Sequence, residues 1–360
     1  EPLAASLPAE DGTTQGDPLR IARVQYWIGR CHFMLNAPRE AIRYYRKVLE
    51  VAPQLGDPEL LALPASVIGR ALVSQGHFEK AIPLLKQALD PLESTGNLVE
   101  WIHTVAYLGT ALAGRGRHAE AVEHVQRAMA RAVEIHSPTA ILLVHIHTCG
   151  AHIHGGDRRG MRDSAGHIVD GAQASGDAVA LYVGLGFLGW AEASTGRYDE
   201  AAATMRRCRE VGENLGQRLV IADWFAAVDA EVALGLGKVE DALVLAHKAV
   251  ELARSSGGVF AEARAQRTWA RALAVADPTR WAEVEEHLRA SMQAAEAACA
   301  LPELARTRVA FGALCLSRGD RLAALDHFRE AARVLDGGAT ALDVSDVHER
   351  VKQLQAMVVS

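Results

Sequence analysis

Three arginines stand at a spacing that suits the binding of an anion. Arg264, Arg267 and Arg271 lie at positions i, i+3 and i+7, which places them on one face of a helix. Because an arginine guanidinium donates paired hydrogen bonds to a carboxylate or a phosphate, this stripe predicts contact with an oxyanion. The alternative is that the three arginines form ion pairs with Glu and Asp of neighbouring helices.

A run of histidines around one cysteine predicts a second kind of chemistry. On a helix, His145, Cys149 and His152 share one face. Three nitrogen and sulfur ligands on one face suit zinc or copper, so these residues are candidate metal ligands. The opposing interpretation is structural, because Cys149 also occupies the packing position of an internal repeat. On that ground we expect neither a metal nor a cofactor.

A glycine-rich segment matches a nucleotide-binding pattern. Gly184–Gly189 reads G-x-G-x-x-G after the strand-like segment Ala178–Val183, whereas a dinucleotide fingerprint needs a strand, a tight turn and a helix N-terminus. Gly189 also falls on the packing position of the repeat, so we expect a packing role. Gly184 and Gly186 then mark a bend or a point where a ligand meets the backbone. The sequence has no P-loop, H-E-x-x-H or G-x-S-x-G motif, and we expect no catalysis.

An internal repeat of about 40 residues positions these side chains. Small residues recur at this spacing, and a second small or apolar residue follows each of them, usually by twelve positions. Since small residues let two helix axes approach within roughly 8–10 Å, the pattern predicts helical hairpins in which the glycine of one helix meets the alanine of the next. The pairs are Gly29 with Ala41, Gly69 with Ala81, Gly109 with Ala121, Cys149 with Met161, Gly189 with Ala201, Ala230 with Ala242, Ala270 with Val284, and Gly312 with Ala324.

Turn and entry signals separate the predicted helices. Glycine stands between the two helices of several hairpins, where it supplies the left-handed residue that ends a helix, as at Gly76 and Gly319. A capping residue followed by proline predicts a helix start at Asp57–Pro58, Ser137–Pro138 and Asp277–Pro278.

The pattern resembles the tetratricopeptide repeat, with a small residue at its eighth position and alanine at its twentieth. The resemblance implies an all-α fold, a right-handed superhelical solenoid of about eight helical hairpins with a C-terminal capping helix. We expect residues 1–19 to form a linker or a disordered segment and residues 337–360 to hold the capping helix. The repeats are expected near 20–57, 58–97, 98–137, 138–177, 178–217, 218–257, 258–301 and 302–336.

These repeats are longer than the common repeat of roughly 34 residues. In length they look like those of the C-terminal sensor regions of bacterial multidomain regulators. Such regulators include MalT-like ATP-dependent LuxR-type activators and proteins that join a nucleotide cyclase or kinase to an ATPase and a repeat tail.

The resemblance also implies which residues face the groove. In tetratricopeptide solenoids the second, fifth and ninth positions of the first helices line the concave face. Here those positions hold many arginines and a single carboxylate, Glu231, although the whole chain has a net charge of -6. We expect an acidic or carboxylate-bearing partner to bind there through Arg30, Arg70, Trp190, Trp224, Arg264, Arg267, Arg271 and Arg306.

Composition excludes several classes of protein. The net charge of -6 argues against direct nucleic-acid binding, which needs a basic face. Five cysteines lie far apart without a C-x-x-C pair, which favours reduced thiols in a cytoplasmic protein. No apolar run reaches the roughly 18 residues of a membrane span. The chain opens at Glu1, so we expect it to be a piece of a larger protein.

Two main hypotheses follow for the function. The first is a recognition module of a bacterial signalling or transcriptional regulator that binds an acidic peptide, a protein segment or a small anionic ligand in the groove. An ATPase or effector domain of the same parent chain would respond to that binding. The second is a structural scaffold for protein assembly or self-association. A metal-dependent enzyme at His145–His154 is an alternative from another class.

Overall fold

The computed structural model describes residues 17–34, 38–216, 219 and 221–359. The predicted linker, residues 1–19, lies outside the described residues apart from its last three positions. The regular secondary structure in the described part of the chain is entirely helical. None of the helices there is long and apolar enough to cross a lipid bilayer.

Seventeen α-helices follow one another along the described residues, and each odd-numbered helix from α1 to α15 forms a hairpin with the next. A single 3-10 turn, Leu342–Val344, precedes the last helix. The helices are α1 Pro18–Met34, α2 Pro38–Leu55, α3 Pro58–Ser74, α4 Phe78–Ser94, α5 Leu98–Gly114, α6 His118–Glu134, α7 Pro138–Gly155, α8 Arg158–Ser175, α9 Ala178–Ser194, α10 Tyr198–Asn214, α11 Ala222–Gly235, α12 Val239–Ser256, α13 Val259–Ala276, α14 Trp281–Ala297, α15 Leu301–Ser317, α16 Arg321–Asp336 and α17 Val347–Val359.

The all-helical solenoid of hairpins is confirmed. Within each hairpin the two helices pack side by side, and the first helices α3, α5 and α7 also pack on one another along the stack. The last helix, α17, packs against α16 through Val347 and Leu354, which are buried with Phe328. Its outer side chains are largely exposed, as expected of an element that ends a stack of repeats.

The packing glycines bring the two helices of a hairpin together, with one correction to the predicted contact. A Cβ on Gly69 would lie 2.7 Å from the side chain of Leu85, and one on Gly109 would lie 2.7 Å from Val125. Each glycine therefore meets first the residue sixteen positions later, and the alanine twelve positions later contributes its backbone oxygen (Ala81, Ala121). Positions twelve and sixteen share a helix face because they are one turn apart.

Two of the three predicted entry signals begin a helix. The side chain of Asp57 caps α3 by accepting hydrogen bonds from two backbone N–H groups, and Ser137 caps α7. Asp277 differs: its carboxylate accepts from the backbone and hydroxyl of Thr279 in a turn, and α14 begins only at Trp281. This turn is the insertion that separates Ala270 from Val284 by more than twelve residues.

The superhelix closes on itself, so that repeats distant in sequence are in contact. The indole Nε1 of Trp224, at the start of α11, donates to the carbonyl of Ser74 at the end of α3 (3.1 Å). The backbone N–H of Val259 donates to the carbonyl of Gln75 (2.9 Å), and the Gln75 amide donates to Ser256 (3.0 Å). These bonds join the turn after α3 to the segment around the start of α13.

A second set of bonds joins the turn after α5 to the last repeat. Arg115 donates to the carbonyl of Cys299 (2.9 Å), and the backbone N–H of Thr340 donates to the carbonyl of Gly116 (3.2 Å). Helix α15 also touches α5 and α7 directly. We refer to all these contacts between the ends of α3, α5 and α7 and the segments around α11, α13 and α15 as the closure.

Candidate ligand site inside the superhelix

Four arginines predicted from the sequence meet at a cavity of about 230 Å³. The cavity lies on the inner side of the first helices and takes its walls from repeats 4 to 8 together with the 3-10 turn. We call it the arginine cavity; it is lined by Arg158, Trp190, Glu231, Arg264, Arg267, Arg271, Glu303, Arg306 and Asp343, with His152, Asp157 and Tyr198 among the further wall residues.

Two of these arginines are neutralised by carboxylates that lie on neighbouring helices. Arg264 donates to Glu231 (Nη2 to Oε1, 2.8 Å), and Arg267 donates to the carboxylate of Glu303. Arg267 also reaches the hydroxyl of Thr307 (3.4 Å). Both arginines are more than nine-tenths buried, so their charges depend on these carboxylates for compensation.

Arg306 connects the cavity to the closure. Its guanidinium forms a paired ion contact with Asp343, at 2.8 and 2.9 Å, and its Nη2 also donates to the backbone carbonyls of Ile153 (3.1 Å) and His154 (2.9 Å). Glu303 lies 3.6 Å away on the same helix. One side chain therefore ties α15 to the end of α7 and to the 3-10 turn.

The electrostatics of the cavity hold two of its carboxylates, Glu231 and Asp343, ionised. Burial acts to raise the pKa of Glu231, but the charges of Arg264, Arg267 and Arg271 outweigh it, and the pKa is lowered overall. Burial acts in the same way on Asp343, where Arg306 outweighs it and lowers the pKa. The cavity is thus lined by fixed charges of both signs at neutral pH.

Arg264 also lies against an aromatic wall. Its Cζ is 3.5 Å from the ring centroid of Trp190, which is a close cation–π contact, and its Nε–H has no hydrogen-bond partner among the described residues. Trp190, one of the predicted groove residues, is buried and lines the cavity. A planar guanidinium stacked on indole is held in one orientation, which keeps the Nε–H at this wall.

Two arginines at the cavity differ from the rest. Arg271 and Arg158 are exposed, and neither forms an ion pair or side-chain hydrogen bond with any described residue. Arg271 is the last member of the predicted stripe, one turn beyond Arg267. Arg158 begins α8 and was not predicted. The donors of these two guanidiniums are available to a ligand.

Trp224 has a different role from Trp190. It does not line the cavity but belongs to an aromatic cluster with Phe78, His154 and Phe260, which lies at the closure. The rings of His154 and Phe260 are 4.8 Å apart, and those of Trp224 and Phe260 are 4.7 Å apart. Burial, followed by the charges of Arg306 and Arg264, lowers the pKa of His154 well below its usual value.

Arg30 and Arg70 lie at the other end of the solenoid, away from the cavity. Arg70 is buried, pairs with Glu100 (3.1 Å) and donates to Nδ1 of His103 (2.9 Å). Arg30 is half-exposed, and its Nη1 lies 3.9 Å from the other oxygen of Glu100. The structure therefore does not bring these two arginines together with Arg264, Arg267, Arg271 and Arg306.

The three candidate metal ligands do not converge. Cys149 is fully buried, and its thiol donates to the carbonyl of Met161 (3.6 Å). The ring of His145 faces His167, with centroids 4.9 Å apart, whereas His152 pairs with Asp157 (3.0 Å). No group of three or more His, Cys, Asp or Glu side chains in the described residues is arranged to hold a metal ion.

The G-x-G-x-x-G segment lies inside the continuous helix α9, so it has no strand or phosphate-binding turn. A Cβ on Gly189 would lie 2.6 Å from Met205, and one on Gly184 would lie 2.8 Å from Ile168. At Gly186 the nearest group is the ring of Phe225. The glycines thus admit side chains of neighbouring helices, and no ligand is needed to explain them.

Sequence reasoning missed Glu303, Asp343 and Arg158 as cavity residues. A signal for the first two exists, because carboxylates stand about one repeat from their arginine partners: Glu231 is 33 residues before Arg264, Glu303 is 36 after Arg267 and Asp343 is 37 after Arg306. Adjacent first helices bring Glu231 and Glu303 beside their arginines, and the 3-10 turn after the last repeat brings Asp343 beside Arg306. No comparable signal marks Arg158, because it reaches the cavity from a second helix.

Models of the tetratricopeptide repeat match residues 20–94 and 101–139. The chain carries tetratricopeptide repeats. The matched residues cover the first three hairpins, and the remaining hairpins continue the same architecture. A search of curated proteins finds no match to this sequence.

Solved structures with the same fold include a Rap protein and an aspartyl phosphate phosphatase. A Rap protein complexed with competence and sporulation factor is 13% identical, with a TM-score of 0.57 over 96% of this chain and 89% of that chain. Aspartyl phosphate phosphatase F from Bacillus subtilis is 14% identical, with a TM-score of 0.54 over 89% and 95%. At these identities the likeness shows the tetratricopeptide-type solenoid fold alone.

A third structure is a signal transduction ATPase with numerous domains and a tetratricopeptide repeat sensor, from Pyrococcus horikoshii. It is 14% identical, with a TM-score of 0.51, and covers 95% of this chain but 51% of the ATPase chain. Tetratricopeptide solenoids are typically interaction modules, and this fold supports that general role for the present chain.

Proposed function

We propose that the chain is the recognition module of a bacterial signalling or transcriptional regulator and does not itself catalyse a reaction. It binds an acidic or carboxylate-bearing partner on the inner face of the superhelix. Binding is read out by an ATPase or effector domain of the same parent chain. The observation that carries the proposal is the arginine cavity, where Arg158 and Arg271 lack carboxylate partners.

The ion pairs of the other arginines indicate which residues contact the partner directly. Arg264, Arg267 and Arg306 already have carboxylates on adjacent elements, so they shape the site and fix its charge. Arg158 and Arg271 are exposed at the same cavity, and their donors are available to a partner's oxyanion. The mixture of fixed and available arginines is what a preorganised anion site requires.

Likeness to signalling proteins supports the regulatory part of the proposal. The Pyrococcus horikoshii ATPase has its tetratricopeptide repeats described as a sensor, and the Rap protein was solved with competence and sporulation factor. In a solenoid each repeat contacts its neighbours, so a small rotation at each interface accumulates into a change of pitch. A ligand that touches several repeats at once is placed to cause such a change.

The test is binding of fluorescein-labelled acidic peptides with free carboxyl termini, followed by fluorescence anisotropy. We expect saturable binding whose Kd rises about tenfold in Arg271→Ala, because a charge-assisted hydrogen bond is lost. Arg159→Ala is the matched control, since Arg159 is exposed beside Arg158 but does not line the cavity. Peptide binding that is equal in the Arg271→Ala protein would contradict an acidic partner at this site, as would the absence of binding by acidic peptides and by small carboxylates or phosphate alike.

A structural scaffold is the second candidate, favoured by one feature of the first hairpin. Trp27 is 60% exposed there, beside Arg30, whose Cζ lies 5.8 Å from its ring. An exposed tryptophan near an arginine is typical of protein–protein contacts. Mass measurement in solution separates the candidates: a stable oligomer that dissociates in Trp27→Ser favours the scaffold, and a monomer favours the recognition module.

A further inference from the structure

The walls of the arginine cavity carry more positive than negative charge. Five arginines face four carboxylates, which leaves one positive charge because burial keeps the pKa of His152 below its usual value. Ion pairs account for Arg264, Arg267 and Arg306, whereas Arg158 and Arg271 are unpaired among the described residues. The carboxylates are Asp157, Glu231, Glu303 and Asp343.

A buried donor in the cavity wall also has no partner. Arg264 is 4% exposed, yet its Nε–H forms no hydrogen bond with any described residue. A buried charged donor that is left unsatisfied destabilises the folded chain, because it has lost its hydrogen bonds to water without gaining others. An acceptor bound in the cavity would remove that cost, so this atom and the two exposed arginines independently favour an oxyanion.

The size of the cavity limits what the anion can be. Its volume of about 230 Å³ is below the about 300–1,000 Å³ of pockets that hold drug-sized ligands. A short carboxylic acid or a phosphate fits such a space, together with water. A folded acidic domain does not.

The closure also limits which ligands can reach the cavity. A peptide that followed the concave face from repeats 2 and 3 into the cavity would have to pass between the end of α3 and the start of α13. There the carbonyl of Gln75 accepts from Val259, and a Cβ on Gly76 would lie only 2.5 Å from the Cβ of Phe260. The inner face is therefore interrupted by the protein itself, and an extended peptide has no continuous groove along it.

Resting on the proposed function, we infer that the ligand of the arginine cavity is a small diffusible oxyanion, a carboxylate or phosphate of metabolite size. It bridges Arg158 on α8 and Arg271 on α13. Because these helices lie three hairpins apart, such a bridge stabilises the closed form of the superhelix. The anion is an effector, and any protein partner binds elsewhere on the solenoid.

The test is thermal unfolding of the whole chain with inorganic phosphate, succinate or citrate, at constant ionic strength maintained with sodium chloride. We expect at least one probe to raise the unfolding midpoint in a saturable manner, with an apparent Kd about tenfold higher in Arg158→Ala and in Arg271→Ala. Arg159→Ala is expected to respond like the unmodified protein. Arg271→Lys retains the charge but loses the planar fork, and we expect an intermediate Kd.

Four outcomes separate the possibilities. Stabilisation that both Arg158→Ala and Arg271→Ala weaken supports the inference. Stabilisation that is equal in every variant places the anion elsewhere and overturns it. Binding of acidic peptides alone, dependent on Arg271, overturns the inference and leaves the proposed function standing. Binding of neither class overturns both. Because Arg158 and Arg271 are exposed, unfolding midpoints without ligand are expected to be unchanged, which excludes loss of folding as the cause.

Discussion

Two neighbouring regions of the superhelix interior have opposite character. At the closure, Phe78, Trp224 and Phe260 pack with His154 into an aromatic cluster. In the arginine cavity the equivalent first helices present guanidiniums and carboxylates. Both regions draw most of their side chains from the first helices, with Phe78 and Arg158 added from the starts of second helices. What distinguishes them is the element across the interior: the ends of α3, α5 and α7 meet the aromatic side chains, while the cavity keeps enough space for a ligand.

The comparison teaches that a groove position in a solenoid does not by itself define a binding residue. Trp190 and Trp224 were predicted for the same role, yet Trp190 lines the cavity and Trp224 bonds to Ser74 across the closure. Among the arginines of the cavity, burial divides those that hold the structure together from those available to a ligand. The following predictions test this division.

The largest effect is expected for Glu303→Gln. Glu303 is 1% exposed and accepts from Arg267 while lying near Arg306, so the change leaves buried positive charge without compensation. Breaking a buried pair in this way costs about 3–5 kcal/mol. Urea denaturation of the variant measures the loss of unfolding free energy.

The matched control for that variant is Glu283→Gln. Glu283 forms an exposed ion pair with Arg280, and exposed pairs contribute little to stability. If the two substitutions destabilise the protein equally, the cavity carboxylate is not compensating buried charge.

A smaller effect is expected for Gly76→Ala, which probes the closure. Gly76 has φ of +83° and would place its new Cβ against Phe260, whereas Gly96 has φ of +71° with nothing nearby. Both alanines incur left-handed strain of about 1–2 kcal/mol. Only Gly76→Ala also overpacks its surroundings. Its unfolding free energy should therefore lie about 1–3 kcal/mol below that of Gly96→Ala.

Small-angle X-ray scattering supplies an independent readout for the same pair. We expect Gly76→Ala to increase the radius of gyration, because relieving the contact with Phe260 requires the two halves of the superhelix to separate. Equal stability and equal dimensions of the two variants would show that the closure does not form in solution.

The smallest effect at neutral pH is expected for His154→Phe. His154 is fully buried, and neither ring nitrogen has a hydrogen-bond partner among the described residues, so stability at pH 7.5 should be unchanged or higher. Its pKa is held far below 6.5 by burial and then by the charges of Arg306, Arg264 and His118. Below about pH 6.5 an unfolded histidine gains a proton that folded His154 does not, and stability therefore falls as pH falls.

The measurement is the free energy of unfolding between pH 7.5 and pH 5 for the unmodified protein and for His154→Phe. The variant should lose less stability over that interval, because one buried neutral histidine is gone. His348→Gln is the control, since His348 is exposed and pairs with Asp336. Identical slopes for all three proteins would mean that His154 is not buried as the closure requires.

Much of the fold was predictable because it depends on local rules. Helical hairpins follow from the repeated spacing of small and apolar residues, and that spacing also identified Gly29, Gly69 and Gly312 as points where two helices meet. The predicted alanine contributes its backbone oxygen at Gly69 and Gly109, but the side chain at the sixteenth position is larger than the alanine at the twelfth and reaches the glycine first.

The site was predictable only in part. The sequence grouped Arg264, Arg267 and Arg271 on one face, since their spacing is a local property of a helix. It did not separate buried Arg264 from exposed Arg271, because burial depends on the helices packed alongside. Neither did it pair Arg306 with Asp343, although the two are one repeat apart.

By itself the sequence determined the type of element, the period of the repeat and the face of each helix that carries arginine. Only the tertiary structure decided that the superhelix closes and that Trp224 and His154 are buried at the closure. It also decided that Arg158, on a second helix, reaches the same cavity as Arg271. The physical reason is that the pitch of a solenoid accumulates from small rotations between repeats. Those rotations depend on side-chain packing at every interface, and they bring together residues more than one hundred positions apart in the chain.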